Sequence, residues 1–303
     1  MTDAMVTSGQ LARMYPRAPR ETIAAWHPPL VAEMRAAGIT TDVRQAAFLA
    51  SIANETGGLI ALDEALDGSY FRTGWPRIRE IFGGVRGLTE AQVETWRRLG
   101  RQAFDVAFFN HVYADANRGP GYGLGNTQPG DGFRYRGMGP GALTGRGNFA
   151  WMARETGLPL IEDPEMIKRP DVGAKLAAHF WRKNGCNEMV DDGSRDGALR
   201  AFRKLNAGLR DFSPHLAWWD RCRAALADDR IGDLPPASTS PAERATDVMA
   251  LQTALARHGH DPGAADGVAG PRTRAALVAF QAAAGLVADG IAGPLTLAAL
   301  GLP

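Results

Sequence analysis

Apolar residues recur at helical spacing through most of residues 20 to 228, and no stretch there alternates apolar and polar residues in the manner of strands. After Thr41, a good helix cap, Phe48, Ile52 and Glu55 follow at i, i+4 and i+7, one stripe of an amphipathic helix. "LTEAQVETWRRLG" opens with Thr89 and Gln92 spaced as a capping box. "RPDVGAKLAAHFWRKNG" predicts a helix beginning near Pro170 and stopping at Gly185. "SPHLAWWDRCRAAL" predicts another, capped by Ser213 with Pro214 at its first helical position. Between residues 115 and 148 the pattern fails, and a stretch dense in Gly, Asn, Asp and Tyr takes its place. A loop of that length is functional or disordered, and its aromatics and regular glycines argue for function.

"NETGGLIALDEAL", residues 54 to 66, places Glu55 nine positions before Glu64. On one continuous helix these carboxylates would lie on opposite faces, ~13 Å apart along the axis. Gly57 and Gly58 admit the left-handed backbone that ends a helix, so the chain is predicted to turn back there. Glu55 then stands at the inner end of an apolar face, where desolvation would hold its proton to higher pH, while Glu64 on a more solvated loop would stay ionised. That division is what paired acid and base work requires. Spacing alone favours the blander reading, a helix-end Glu and an unrelated surface Glu.

The pattern changes abruptly over "DDRIGDLPPASTSPAER", residues 228 to 244, to Pro, Ser, Thr and charge, which predicts an interdomain linker. Beyond it "DGVAGPRTRAAL" from Asp266 and "DGIAGPLTLAAL" from Asp289 repeat one pattern 23 residues apart. Each copy has an Asp-Gly turn and a Gly-Pro helix entry. With "VMALQTALARHG" ahead of the first copy and "ALVAFQAAAG" between the two, three short helices around a small core are expected. The predicted division is a domain at 1–228, a linker at 229–244 and a small domain at 245–303, all mainly α.

A chain of 303 residues buries a sizeable core and has room for about two domains. Its formal charge of +1 supplies neither a nucleic-acid footprint nor a polybasic membrane patch. No apolar run approaches the ~18 residues of a membrane span, and the N-terminal stretch lacks the order of a secretion signal, so cytoplasmic residence is expected. In that setting Cys186 and Cys222 are expected as free thiols. His258 and His260, two apart and without an adjacent carboxylate or cysteine, do not form a zinc site, and neither metal nor cofactor is called for. Trp151, Trp181, Trp218 and Trp219 could stack on sugars, but aromatics on helices are more often core.

Residues 245–303 resemble the peptidoglycan-binding domain type 1, on Leu251-Gln252, Asp266-Gly267, Gly270, Thr273, Phe280-Gln281, Asp289-Gly290, Gly293 and Thr296. The resemblance implies a noncatalytic module that attaches its partner to bacterial cell wall, with most of these residues acting as helix caps. "GDGFRYRGMGPGALTGRGNF", residues 130 to 149, resembles the signature of glycoside hydrolase family 19, through Tyr135, Arg136, Gly137, Gly139, Leu143, Thr144, Gly145, Asn148 and Phe149. "FNHVYADANRG" and "GLGN" upstream, and "LNAGLRDF" with Asn206 and Gly208 downstream, resemble the flanking motifs in the same order. The resemblance spans about residues 40 to 226.

It implies a lysozyme-like, bilobed helical catalytic domain that cuts glycosidic bonds with inversion. Carried over by motif, Glu55 is the general acid and Glu64 the general base that activates water. Thr144 helps hold that water, and Tyr135, Arg136, Asn148 and Asn206 are polar or aromatic candidates for substrate contact. Inversion needs the carboxyls ~6.5–9.5 Å apart. Asp63, beside Glu64, competes as base. The sequence departs from the family at Asn54, where His is usual, at Ala142, where Gln is usual, and in extra residues around "NRGPGYGLGN". The combined expectation is a monomeric endolysin, a muramidase-like peptidoglycan hydrolase held in the cytoplasm until a holin-type partner releases it to the wall. A chitinase acting on N-acetylglucosamine polymers and an inert wall-binding protein are the alternatives.

Overall fold

A computed structural model describes residues 4–64, 69–206, 211–228, 231–234 and 241–302, apart from 287, 289, 291 and 293. Gly208, the middle of the linker, and Asp289 and Gly293 of the second repeat lie outside the described residues. The fold is mainly α, and among the described residues the only β pairing is two isolated bridges, Asp63 to Met138 and Met138 to Leu143. The chain divides into two compact units, one of Met1–Asn54, Gly58–Ile60 and Gly185–Pro303, the other of Glu55–Gly57 and Ala61–Asn184.

In the first unit the Asp42–Thr56 helix starts where Thr41 predicts, with the Thr41 hydroxyl accepting from the Arg44 N–H at 3.3 Å. Its stripe residues Phe48 and Ile52 are buried. The Tyr15 hydroxyl donates to the Leu49 carbonyl at 2.6 Å, and its ring meets Trp218 edge-on at 6.1 Å. Cys186 and Cys222 are buried free thiols, and burial pushes the Cys186 thiol up to about 12, so neither is a nucleophile. The Ser213–Leu226 helix begins one residue earlier than its cap prediction required. Phe212 is the cap position and makes no side-chain bond, while Asp211 accepts from the Ser213 N–H at 2.9 Å.

The C-terminal module contains the three expected helices, Pro241–Arg257, Pro271–Ala283 and Pro294–Ala299. Leu251, Leu255, Leu277, Phe280 and Leu300 form its core. His258 and His260 flank the Phe280 ring at 5.1 and 5.7 Å, which is packing. The repeated Gln, Gly and Thr serve the fold. Buried Gln252 donates to Asp266 Oδ1, the Val268 carbonyl and Thr273 Oγ1 at 3.0–3.1 Å and accepts from the Gly267 N–H at 3.0 Å. Gln281 repeats this toward Thr296 at 3.1 Å and Gly290 at 2.8 Å. Gln252→Ala strands several of these partners and is expected to cost about 2 kcal/mol, seen as an earlier unfolding transition of the intact chain by calorimetry.

The second unit holds two cores. On the Arg101–Val112 helix Phe104, Phe108 and Val112 recur every fourth position, and with Phe109 they bury completely against Ile78, Phe82 and Val93. Each such ring contributes about 2–3 kcal/mol on burial. Tyr135, Phe149, Met152, Leu160, Ile167 and Leu176 form the other, with Trp151 and Phe180 on its margin. Trp181 is also buried, so the tryptophans of this unit are spent on packing. The helix Glu90–Arg98 has half of its capping box: Thr89 accepts from the Gln92 N–H at 3.3 Å, and no return bond forms.

Candidate active site

The Asp42–Thr56 helix ends at the predicted glycines. Gly57, Gly58 and then Leu59 take φ of 62°, 81° and 66°, a left-handed run that L side chains avoid and that reverses the chain. The Gly58 N–H reaches the Ala53 carbonyl at 3.0 Å and the Ala61 N–H the Thr56 carbonyl at 2.9 Å, so the last carbonyls of the helix are satisfied inside the turn. Glu55 lies half-buried in the final helical turn, and Glu64 follows the reversal. Both belong to the second unit.

Glu64 is fixed by a short antiparallel contact. Its N–H donates to the Gly137 carbonyl at 3.1 Å, and the Gly139 N–H donates to the Leu62 carbonyl at 2.9 Å. That register brings the Glu64 carboxylate onto the Gly137 N–H at 2.5 Å, and the Tyr113 hydroxyl donates to its other oxygen at 2.9 Å. Tyr113 lies on the margin of the phenylalanine core, stacked on Phe109 at 5.8 Å. A Cβ on Gly137 would stand 3.1 Å from the Glu64 carboxyl and 3.2 Å from Thr144 Oγ1, closer than ordinary contact, so glycine here lets both groups close on the backbone.

The expected electrostatics of Glu64 need correction. It does not sit on a solvated loop: burial raises its carboxyl to about 7, aided by neighbouring Asp63 and opposed by the Gly137 N–H, the Tyr113 hydroxyl and Arg136. Tyr113 itself stays protonated, because burial and the adjacent Glu64 push its hydroxyl well above the ordinary value.

Asp63 is unsuited to act as base. Its buried carboxylate takes a bidentate bond from Arg136 and a bond from Lys168 Nζ at 3.0 Å, so both oxygens are committed to cations. Arg136, expected to contact substrate, is itself buried and spends its remaining donors on Glu165 at 3.0 Å and the Phe133 carbonyl at 2.8 Å. The Arg136–Asp63 pair therefore positions the residue next to Glu64. Tyr135 is a core ring packed on Phe149 at 5.3 Å, with its hydroxyl donating to the Ile161 carbonyl at 3.1 Å.

Thr144 follows a tight turn in which Ala142 takes φ of 45°, and its hydroxyl donates to the Ala142 carbonyl at 3.0 Å. Exposed Asn148 donates to the Thr144 carbonyl at 2.7 Å, across the start of the Arg146–Thr156 helix. Asn206 belongs to the first unit, where it closes the Arg195–Leu205 helix through its N–H to the Phe202 carbonyl at 3.0 Å. Tyr113 is the functional group that sequence reasoning missed. It lies within "FNHVYADANRG", but its partner is 49 positions away. Among the described residues no three His, Cys, Asp or Glu side chains converge to hold a metal, and no helix is long and apolar enough to cross a membrane.

Residues 244–300 match the family described as putative peptidoglycan binding domain. Over 209 residues the chain is 28% identical to a glycosyl hydrolase family 19 domain-containing protein of Haemophilus influenzae, covering 68% of this chain and 89% of that one. Over 149 residues it is 30% identical to an endochitinase of Arabidopsis thaliana, covering 48% of this chain and 51% of the endochitinase. Among solved structures, a crystal structure of a chitinase C mutant aligns with a TM-score of 0.46 at 18% identity, over 76% of this chain and 95% of that one.

Proposed function

We propose that this chain, a chitinase-like protein of the glycoside hydrolase family 19 type with a C-terminal peptidoglycan-binding domain, hydrolyses glycosidic bonds of the peptidoglycan glycan strand with inversion. The observation that carries the reading is the Glu64 carboxyl, raised to about 7 and fixed by the Gly137 N–H and the Tyr113 hydroxyl, with the Thr144 hydroxyl close by. A carboxylate of that affinity is a stronger base than one of ordinary pKa while still partly ionised near neutrality. A water held by Glu64 and Thr144 loses its proton to Glu64 as its oxygen bonds to the anomeric carbon. Glu55, on the opposite side of the sugar, gives its proton to the departing glycosidic oxygen as the bond to that carbon breaks. The product is a hemiacetal of inverted configuration, leaving Glu55 ionised and Glu64 protonated until both exchange with solvent.

Thr144 orients the water. Asn148 is the polar substrate contact of this reading, with Tyr135 and Arg136 acting beneath the surface as supports. The wall-binding module raises the local concentration of the enzyme at an insoluble polymer. The biological setting of the proposal is an endolysin, monomeric and cytoplasmic until a holin-type partner admits it to the wall.

Purified peptidoglycan and chitin oligomers, digested in parallel and analysed by mass spectrometry after borohydride reduction, test this function. Soluble fragments with new, reducible sugar ends are expected from peptidoglycan, and the identity of the reduced sugar names the bond. Anhydro ends would remove the hydrolytic mechanism, and cleavage of chitin oligomers alone would make the chain a chitinase. The placement of the Glu64 carboxyl is tested by Gly137→Ala, whose Cβ would press on it at 3.1 Å. A shift of a few tenths of an ångström is expected to lower kcat roughly tenfold, with the unfolding midpoint little changed. Unchanged kcat would show that the reaction does not depend on this placement of Glu64.

A further inference from the structure

The loop that lengthens the chain around "NRGPGYGLGN" presents an aromatic ring whose purpose neither packing nor the reaction above explains. Tyr122 is 70% exposed, the most exposed of the large hydrophobic side chains described. Single exposed apolar residues are ordinary on protein surfaces. What sets Tyr122 apart is the number of bonds that hold its backbone still.

The Arg118 guanidinium donates from Nε to the Tyr122 carbonyl at 2.7 Å and from Nη1 to the Val112 carbonyl at 3.1 Å. The same guanidinium stands 6.0 Å from the centre of the Tyr113 ring, whose hydroxyl holds Glu64. The Tyr122 N–H closes a turn onto the Gly119 carbonyl at 3.1 Å. Two residues on, the Asp115 carboxylate accepts from the Leu124 and Gly125 N–H groups at 2.7 and 3.0 Å. The Leu124 carbonyl then accepts from the Gly147 N–H at 2.9 Å, between Thr144 and Asn148 in their own segment. The loop is thus tied at one end to the support of Glu64 and at the other to the segment of Thr144. Glycine on either side, Gly121 and Gly123, supplies no side chain to cover the ring.

We propose that Tyr122 is a stacking platform for a sugar ring of the glycan strand beside the reacting bond, a specificity-determining residue of this site. The proposal rests on the glycan-hydrolase reading above. A sugar's axial C–H face is apolar and matches an aromatic face, and a ring carried on a backbone already held in place has only its two side-chain torsions to lose on binding. Because the contact is made equally in the ground state and the transition state, it should act on KM and leave kcat alone.

The test uses the intact chain and soluble, peptide-free oligosaccharides of alternating N-acetylglucosamine and N-acetylmuramic acid. Tyr122→Ala is expected to raise KM about tenfold, the equivalent of ~1.4 kcal/mol, with kcat within twofold of the parent. Tyr122→Phe, which keeps the ring and loses the hydroxyl, is expected to match the parent. A Tyr122→Ala variant with parental KM, or one that loses kcat at constant KM, overturns the proposal while leaving the hydrolase reading intact. If the parent binds the oligosaccharides calorimetrically without cleaving them, the hydrolase reading fails, and the ratio of the two dissociation constants judges Tyr122 by the same tenfold criterion. If the parent neither binds nor cleaves them, both fall.

Discussion

Glu64→Gln is expected to reduce release of soluble fragments from peptidoglycan by about 10²–10⁴-fold, while the protein still sediments with the wall. With the amide oxygen accepting from the Gly137 N–H, the amide NH2 takes the place of the other oxygen and the Tyr113 hydroxyl can turn to accept from it, so the geometry survives, but the amide cannot take a proton from water. Glu55→Gln should give a comparable loss, because an amide cannot supply the proton that the departing sugar needs. Sedimentation should be unaffected in both, since the module at 244–300 carries wall attachment in this reading. Clearing by Glu64→Gln within tenfold of the parent would remove Glu64 from the reaction.

Stability gives this substitution a second, independent signature. Burial makes the folded state favour the protonated Glu64, so its carboxyl is raised above the ordinary value of 4.5 to about 7. A raised carboxyl destabilises the fold progressively as pH climbs from about 4.5 through 7, by up to roughly 3 kcal/mol. Replacing it with a neutral amide removes that cost, so Glu64→Gln should unfold later than the parent at neutral pH, as site residues held against their preference do. Asp63→Asn is the contrast. It breaks a buried pair with Arg136 and a second with Lys168, and is expected to cost about 3–5 kcal/mol and to lose activity through unfolding. Two adjacent carboxylates are thereby separated by experiment, one by its chemistry and the other by its support.

Much of this arrangement is legible in the chain because it is local. Thr41, the glycines at 57 and 58 and the Gly270-Pro271 helix entry act through neighbouring backbone, and the structure uses each of them as the pattern requires. The tandem repeat of the C-terminal module is equally local, with Gln252 reaching Asp266 only 14 positions away. The environment of Glu64 is not local. Its two donors lie 49 and 73 positions downstream, on the margin of one core and beside another, and nothing within "ALDEAL" announces them. Arg136 shows the same limit from the other side. Its place in a motif marks it as important, yet only the pairing with Asp63, 73 positions upstream, shows that it supports the site from beneath.

The profile of kcat/KM against pH decides which way the Glu64 proton moves. A carboxyl raised to about 7 suits a base above that pH or an acid below it. In the proposed reaction Glu64 is the base, so activity should rise with pH through a midpoint near 7. Tyr113→Phe sharpens the test, because the Tyr113 hydroxyl bonds the ionised carboxylate and holds its affinity for protons down. Without that bond the midpoint should move upward by about one pH unit, the usual worth of a hydrogen bond to a charged acceptor. The variant should then be about tenfold slower than the parent at pH 6 and recover toward the parent plateau in more alkaline solution. A purely structural loss would lower the curve at every pH without moving its midpoint. A limb that falls through 7 would instead make Glu64 the proton donor, exchanging the roles of the two carboxyls while keeping the same pair.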